Sequence, residues 1–278
     1  MPAERIAQNL AFINWTLLVG LALGSAAVVV LGRLRTQATR GYLAFTAFCA
    51  LGFGWLAWLS DGALPASLGA SPVVADPTWD VPRRLALALF CVLCAVLVVA
   101  MARRRRAAPL GIATLATGMA VLVIAALSWG GSPLGSLALL VQLSVLSVAT
   151  GGVFAAMVLG HWYLVTPKLP EAPLVLLSRL LLWVLVAQVV LFAAWLGLGA
   201  GPGAKPGFAG LFGPTALFVW LRLIVGLVFP LVVSWAAVQT ARTRSMESAT
   251  GLLYINVGTI AAGTIVAAGL YFGSGLLV

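Results

Sequence analysis

Residues 137–165 read LALLVQLSVLSVATGGVFAAMVLGHWYLV, 29 positions without one Asp, Glu, Lys or Arg. As a helix rising 1.5 Å per residue this run is about 43 Å long, against roughly 30 Å for the hydrocarbon core of a bilayer. An uncharged stretch of that length suits lipid, so the segment is expected to cross a membrane and to tilt or protrude.

The pattern recurs along the chain. Similar runs occupy 10–31, 41–59, 85–101, 110–127, 174–198, 215–238 and 252–272. The expected fold is therefore all-α: a polytopic integral membrane protein, a single transmembrane domain over 1–278 with eight transmembrane helices in a bundle. Composition agrees, with 63% apolar and 8% charged residues where soluble domains average about 45 to 50% and about 25%. The first run is too long for a secretory leader and has only Arg5 as a basic flank, so it is expected to be retained as a helix.

A net charge of +10 would suggest nucleic acid in a soluble protein. Here no stretch between the apolar runs is long enough for a nucleic-acid-binding domain, and the basic residues are expected to set orientation instead. Arg33, Arg35, Arg40, the block Arg103 to Arg106, Lys168, Arg242 and Arg244 fall in alternate loops. The opposite side carries Arg5, Arg83, Arg84 and Lys205 together with Glu4, Asp61, Asp76 and Asp80. Positively charged loops stay cytoplasmic, which predicts a multi-pass protein of the cell membrane with the N- and C-termini extracytoplasmic. The Arg103 to Arg106 block reads as a topology anchor that also meets anionic lipid.

The connection 60–82, rich in Pro and Asp, is expected to lie on the membrane surface, and the Gly- and Pro-rich stretch 199–214 to be irregular. The inner turns after spans one and seven, Arg33-x-Arg35 leading to Thr39-Arg40-Gly41 and Arg242-x-Arg244 leading to Ala249-Thr250-Gly251, echo one another. Shared turn chemistry accounts for this more simply than a true repeat does. Cys91 and Cys94 form C-x-x-C inside a run of Leu, Val and Ala, where they read as small buried apolar groups and not as a redox pair.

Polar residues inside spans are few, and each is a candidate for function or for helix packing. Ser147, Thr150, Met157 and His161 fall within an arc of roughly 80° on one helix. His161, the one histidine, lies near the end of its span beside Trp162 and Tyr163, and Arg179 lies just inside the next. An antiparallel hairpin sets them at similar depth, with Glu171 between them to neutralise either. This points to a cofactor contact, quinone or haem b, at His161, Arg179, Tyr163 and Met157; an interfacial aromatic belt is the plainer alternative. One His per chain cannot ligate haem on both faces, and Met157 shares His161's face, so a quinone fits more simply.

Arg222, about eight residues into its span, needs a partner. Gln142 at comparable depth, or Asp61, Asp76 or Asp80 from the long loop, are the expected ones. Pro230 should kink the same span. Gln188, Asn256, Thr259 and Thr264 complete the set of transport or structural polar contacts. No span carries a central Asp or Glu, which counts against an ion-coupled carrier.

The functional expectations are three: a membrane subunit of an electron-transfer complex, a carrier or channel for a lipophilic or anionic solute, or a scaffold working with other subunits or as a homo-oligomer. With so little chain outside the bilayer, the protein is not expected to act as an enzyme by itself.

Overall fold

The computed structural model describes residues 2–103, 108–166 and 169–278. Arg104, Arg105 and Arg106 of the basic block, and Lys168, lie outside the described residues. All regular structure among the described residues is helical: α1 (Pro2–Gln8), α2 (Leu10–Arg35), α3 (Arg40–Asp61), α4 (Asp80–Ala102), α5 (Ala108–Trp129), α6 (Pro133–Val165), α7 (Ala172–Leu198), α8 (Ala216–Leu223), a π-helical turn (Ile224–Val228), α9 (Phe229–Arg242) and α10 (Met246–Ser274). With the π turn joining α8 to α9, eight helices are long and apolar enough to cross a membrane.

The expected number of helices, eight, is present, and each is longer than its apolar run. Helices continue into charge where a charge has somewhere to go. α3 ends on Asp61 and α4 begins at Asp80, because Asp61 and Arg83 join each other across the hairpin.

α2, α6 and α10 make up the middle of the bundle, and α2 against α6 is its most extensive helix pair. Small residues permit that closeness: a side chain on Gly24 or Gly151 would strike the backbone of the facing helix. In lipid this van der Waals contact, not water exclusion, drives helix pairing. Polar bonds add to it, with Ser25 Oγ donating to Gly151 O at 3.4 Å and Thr150 Oγ1 bonded to Thr264 Oγ1 at 2.8 Å. On one flank lie α3, α4 and α5; on the other lie α7 and the α8–α9 span.

The alternation of loops gives the bundle a loop end, with segments 62–79 and 199–215, and a basic end. The 62–79 segment packs onto the end of the bundle. Leu68 and Val73 are buried in the main apolar cluster, and the Asp76 N–H donates to Ser128 O at 2.8 Å, so the loop folds back over the bundle. The 199–215 stretch is irregular as expected, with a short 3₁₀ turn at Ala209–Leu211. The two echoing turns differ in their caps: Thr39 accepts from Tyr42 N, whereas Ser245 makes no side-chain cap bond to the backbone.

Candidate functional site

The α8–α9 span is broken for a local reason. Pro230 has no N–H, so the carbonyl of Gly226, four residues earlier, loses the donor that an α-helix would supply. The chain answers in two ways. It widens into the π turn, where the Phe229 N–H reaches back five residues to Ile224 O. It also turns a side chain onto the freed carbonyl: Arg222 Nη1 donates to Gly226 O at 3.2 Å. The kink expected at Pro230 is thus spread over the preceding turn. π turns of this kind recur at functional positions.

Arg222 is 1% exposed. Its second terminal nitrogen, Nη2, donates to Gln188 Oε1 on α7 at 2.6 Å, and Gln188 Nε2 in turn donates to Val145 O on α6 at 3.2 Å. Nε of Arg222 is buried without an acceptor. No Asp or Glu among the described residues pairs with it. On its other side the span touches α10 backbone to backbone: a methyl group on Gly226 or on Gly263 would lie 2.6 Å from the other residue's Cα, and one on Gly263 would lie 2.8 Å from Arg222 Nη1. Lower on the same helix, Asn256 Nδ2 donates to Ser234 Oγ at 2.8 Å and to Pro230 O at 3.4 Å, so α10 also holds the far side of the kink.

A second buried arginine sits at the loop end in contrasting company. Arg83 Nε donates to Asp61 Oδ2 at 2.7 Å, and Nη1 donates to Asp80 Oδ1 at 2.9 Å and Ser128 Oγ at 3.0 Å. Trp15 Nε1 donates to the same Asp61 Oδ2 at 2.8 Å. The guanidinium carbon lies 4.8 Å from the ring centroid of Trp129, so a cation–π contact adds to the ion pair. This knot joins α2, α3, α4 and α5. Sequence reasoning placed Arg83 among the orienting charges and offered Asp61 to Arg222. The missed signal is that Asp61 and Arg83 end the two helices joined by one loop, with Trp15 and Trp129 at the same level.

The predicted partners of Arg222 therefore need correcting. Asp61 and Asp80 belong to Arg83, and Asp76 accepts from Thr78 within its own loop. Gln142 accepts from Trp195 Nε1 at 3.1 Å and donates to Val278 O at 2.6 Å, so it fastens segment 275–278 and does not meet Arg222. The true partner, Gln188, was recognised as a polar residue but not matched to the arginine.

The proposed His161 cluster is not assembled inside the chain. His161 and Arg179 are both exposed on the surface of the bundle, and among the described residues neither hydrogen-bonds or ion-pairs with the other. Glu171 approaches Arg244 Nε instead, at 3.7 Å. Tyr163 is buried, and its hydroxyl donates to Pro170 O, closing the α6–α7 turn. Met157 is half-buried against the α6, α7 and α10 cluster. Cys91 and Cys94 are buried as small apolar groups and unpaired.

Comparison with protein-family models, with curated proteins and with solved structures finds no match for the chain.

Proposed function

We propose that this membrane protein binds an anionic solute within the bundle and conducts it as a carrier or channel, with Arg222 as the counter-charge. One observation carries this: a guanidinium that is 1% exposed and has only an amide and a carbonyl for partners. Arginine does not lose its proton in proteins. Neutral acceptors solvate the cation without cancelling it, so the site keeps a net positive charge in a low-dielectric setting, where an arriving anion is attracted far more strongly than in water. The Nε–H without an acceptor is a ready donor for that anion. An intramembrane cation lacking a carboxylate is expensive and serves a ligand more naturally than it serves folding. The π turn beside it gives the span a place to flex. The bias of Lys and Arg to the basic end supports an orientation with that end cytoplasmic and both termini outside.

Flux into liposomes tests the proposal directly. Purified protein is reconstituted and offered nitrate, inorganic phosphate or succinate, with potassium as the cation control. At least one anion is expected to move faster than in empty liposomes, and Arg222→Gln is expected to lower that flux roughly tenfold or more, the equivalent of about 1.4 kcal/mol of lost interaction. Equal flux in Arg222→Gln and the parent, or no anion flux at all, would overturn it.

A further inference from the structure

Resting on that reading, the geometry points to where the anion first binds. We infer that the cavity at the loop end, bordered by Arg5, Lys205 and Thr215, is an entry site for a small anion bearing phosphate or carboxylate. The cavity has a volume of about 470 Å³ and is lined also by Ser274 and Leu276, a size that suits a small organic ligand.

Its charge is one-sided. Four of the chain's six acids lie in segments at this end, yet none lines the cavity. Asp61 and Asp80 are held by Arg83, and Asp76 is held by Thr78. With these three acids held elsewhere and Glu4 outside the lining, Arg5 and Lys205 are the charged side chains on the wall of a concave site with low-dielectric walls, an arrangement that concentrates anions. Thr215 and Ser274 bring hydroxyls.

The cavity also stands above the buried cation. Thr215 immediately precedes α8, and Arg222 is seven residues further on, about 10 Å along the helix. Leu276 belongs both to the lining of the cavity and to the apolar cluster containing Val219 and Leu227, the residues that bracket Arg222 in its own span. Entry site, apolar seal and buried guanidinium thus follow one another along α8. The seal is pinned by Gln142 through Val278 and by the Leu277 N–H, which donates to Ala200 O at 3.1 Å.

The test reads local potential and occupancy without relying on transport. Thr215→Cys, or Ser274→Cys as a second reporter, is treated in detergent with negatively and positively charged methanethiosulfonates, with wild type giving the background from Cys49, Cys91 and Cys94. The negative reagent is expected to gain about tenfold over its ratio on a free thiol at low salt, to lose that gain at high salt, and to lose it in Arg5→Gln/Lys205→Gln. Inorganic phosphate or succinate is expected to slow the reaction. Protection by dissolved anion identifies a solute site. Protection seen only in phosphatidylglycerol vesicles, and not in phosphatidylcholine, identifies a lipid headgroup as the source of the same chemistry. Equal reagent preference with and without the two cations, or no protection by any anion, overturns the inference. The same cysteines in Arg222→Gln keep the entry site's result separate from that of the buried site: preference retained there with flux unaffected would sink the Arg222 reading alone.

Discussion

Arg83 and Arg222 are buried to within 2% of full exclusion from solvent, yet their surroundings have little in common. Arg83 has two carboxylates, a serine hydroxyl and the face of Trp129. Arg222 has one glutamine oxygen and one carbonyl that a proline set free. Within one bundle, then, a cation is fully matched where four helices must be fastened and left partly matched where the helix is kinked. Burial alone does not distinguish a structural charge from a functional one; the identity of the acceptors does.

The comparison breaks most readily at Arg83. Arg83→Met leaves Asp61 buried without its cation and is expected to cost about 3 to 5 kcal/mol, seen as a large drop in the midpoint of thermal unfolding in detergent. Adding Asp61→Asn should restore part of it, since Asn removes the stranded charge. A midpoint close to the parent's in Arg83→Met would erase the distinction between the two arginines.

Crowding the other arginine comes next. Gly263→Ala pushes a methyl toward Gly226 and Arg222 Nη1, and overpacking of this kind costs about 1 to 3 kcal/mol, with loss of anion flux because α10 is forced off the π turn. Gln188→Leu removes the shortest bond to the guanidinium, a charged hydrogen bond worth about 1.5 to 3 kcal/mol; an added anion should recover part of this by replacing the missing acceptor, and absence of that recovery would count against an anion site. Arg222→Met is expected to leave the unfolding midpoint equal or raised, because replacing a poorly paired buried charge with an apolar side chain is commonly neutral or stabilising. The parent should be stabilised by phosphate or succinate in the same assay, and the Met variant should not.

The smallest effect concerns Asp76, a loop acid that meets neither arginine. The hydroxyl and N–H of Thr78 hold the Asp76 carboxyl below its ordinary value. A lowered folded value means stability that is present above the ordinary carboxylate pKa of about 3.9 and lost as pH falls through the folded value. Thr78→Val is expected to raise the Asp76 pKa toward that ordinary value, measured by NMR titration, with the helical bundle otherwise unchanged.

Most of the fold was legible because charge-free runs of this length have one physical solution in lipid. Helix ends were less legible: Arg83 and Arg84 look like loop residues in a sequence, and only the pairing of Arg83 with Asp61, 22 positions earlier, shows that the helix begins before them. The Arg222 position was visible as an anomaly, but its partner was not, since Gln142 and Gln188 are equally polar and only helix rotation decides which one faces α8. His161 shows the opposite failure. Its stripe with Ser147 and Thr150 holds in the middle of α6, where α2 and α10 cover it; in the last turns the covered side is that of Gly160 and Tyr163, against Thr250 and Pro170, and His161 is left outside.

The order of the helices around Arg222 bears on how the protein is made. Chains are synthesised from the N-terminus, and an arginine inside a span disfavours membrane insertion, by about 2.5 to 3.5 kcal/mol at the helix centre and less toward the ends, where Arg222 lies. Gln188, on α7, is already in place when α8 emerges, so the guanidinium meets its acceptor at once. Gly263, on α10, arrives last and closes over it. A nascent chain stalled before Met246 therefore carries Arg222 bonded on one side and open on the other, and the final helix is the step that encloses the charge.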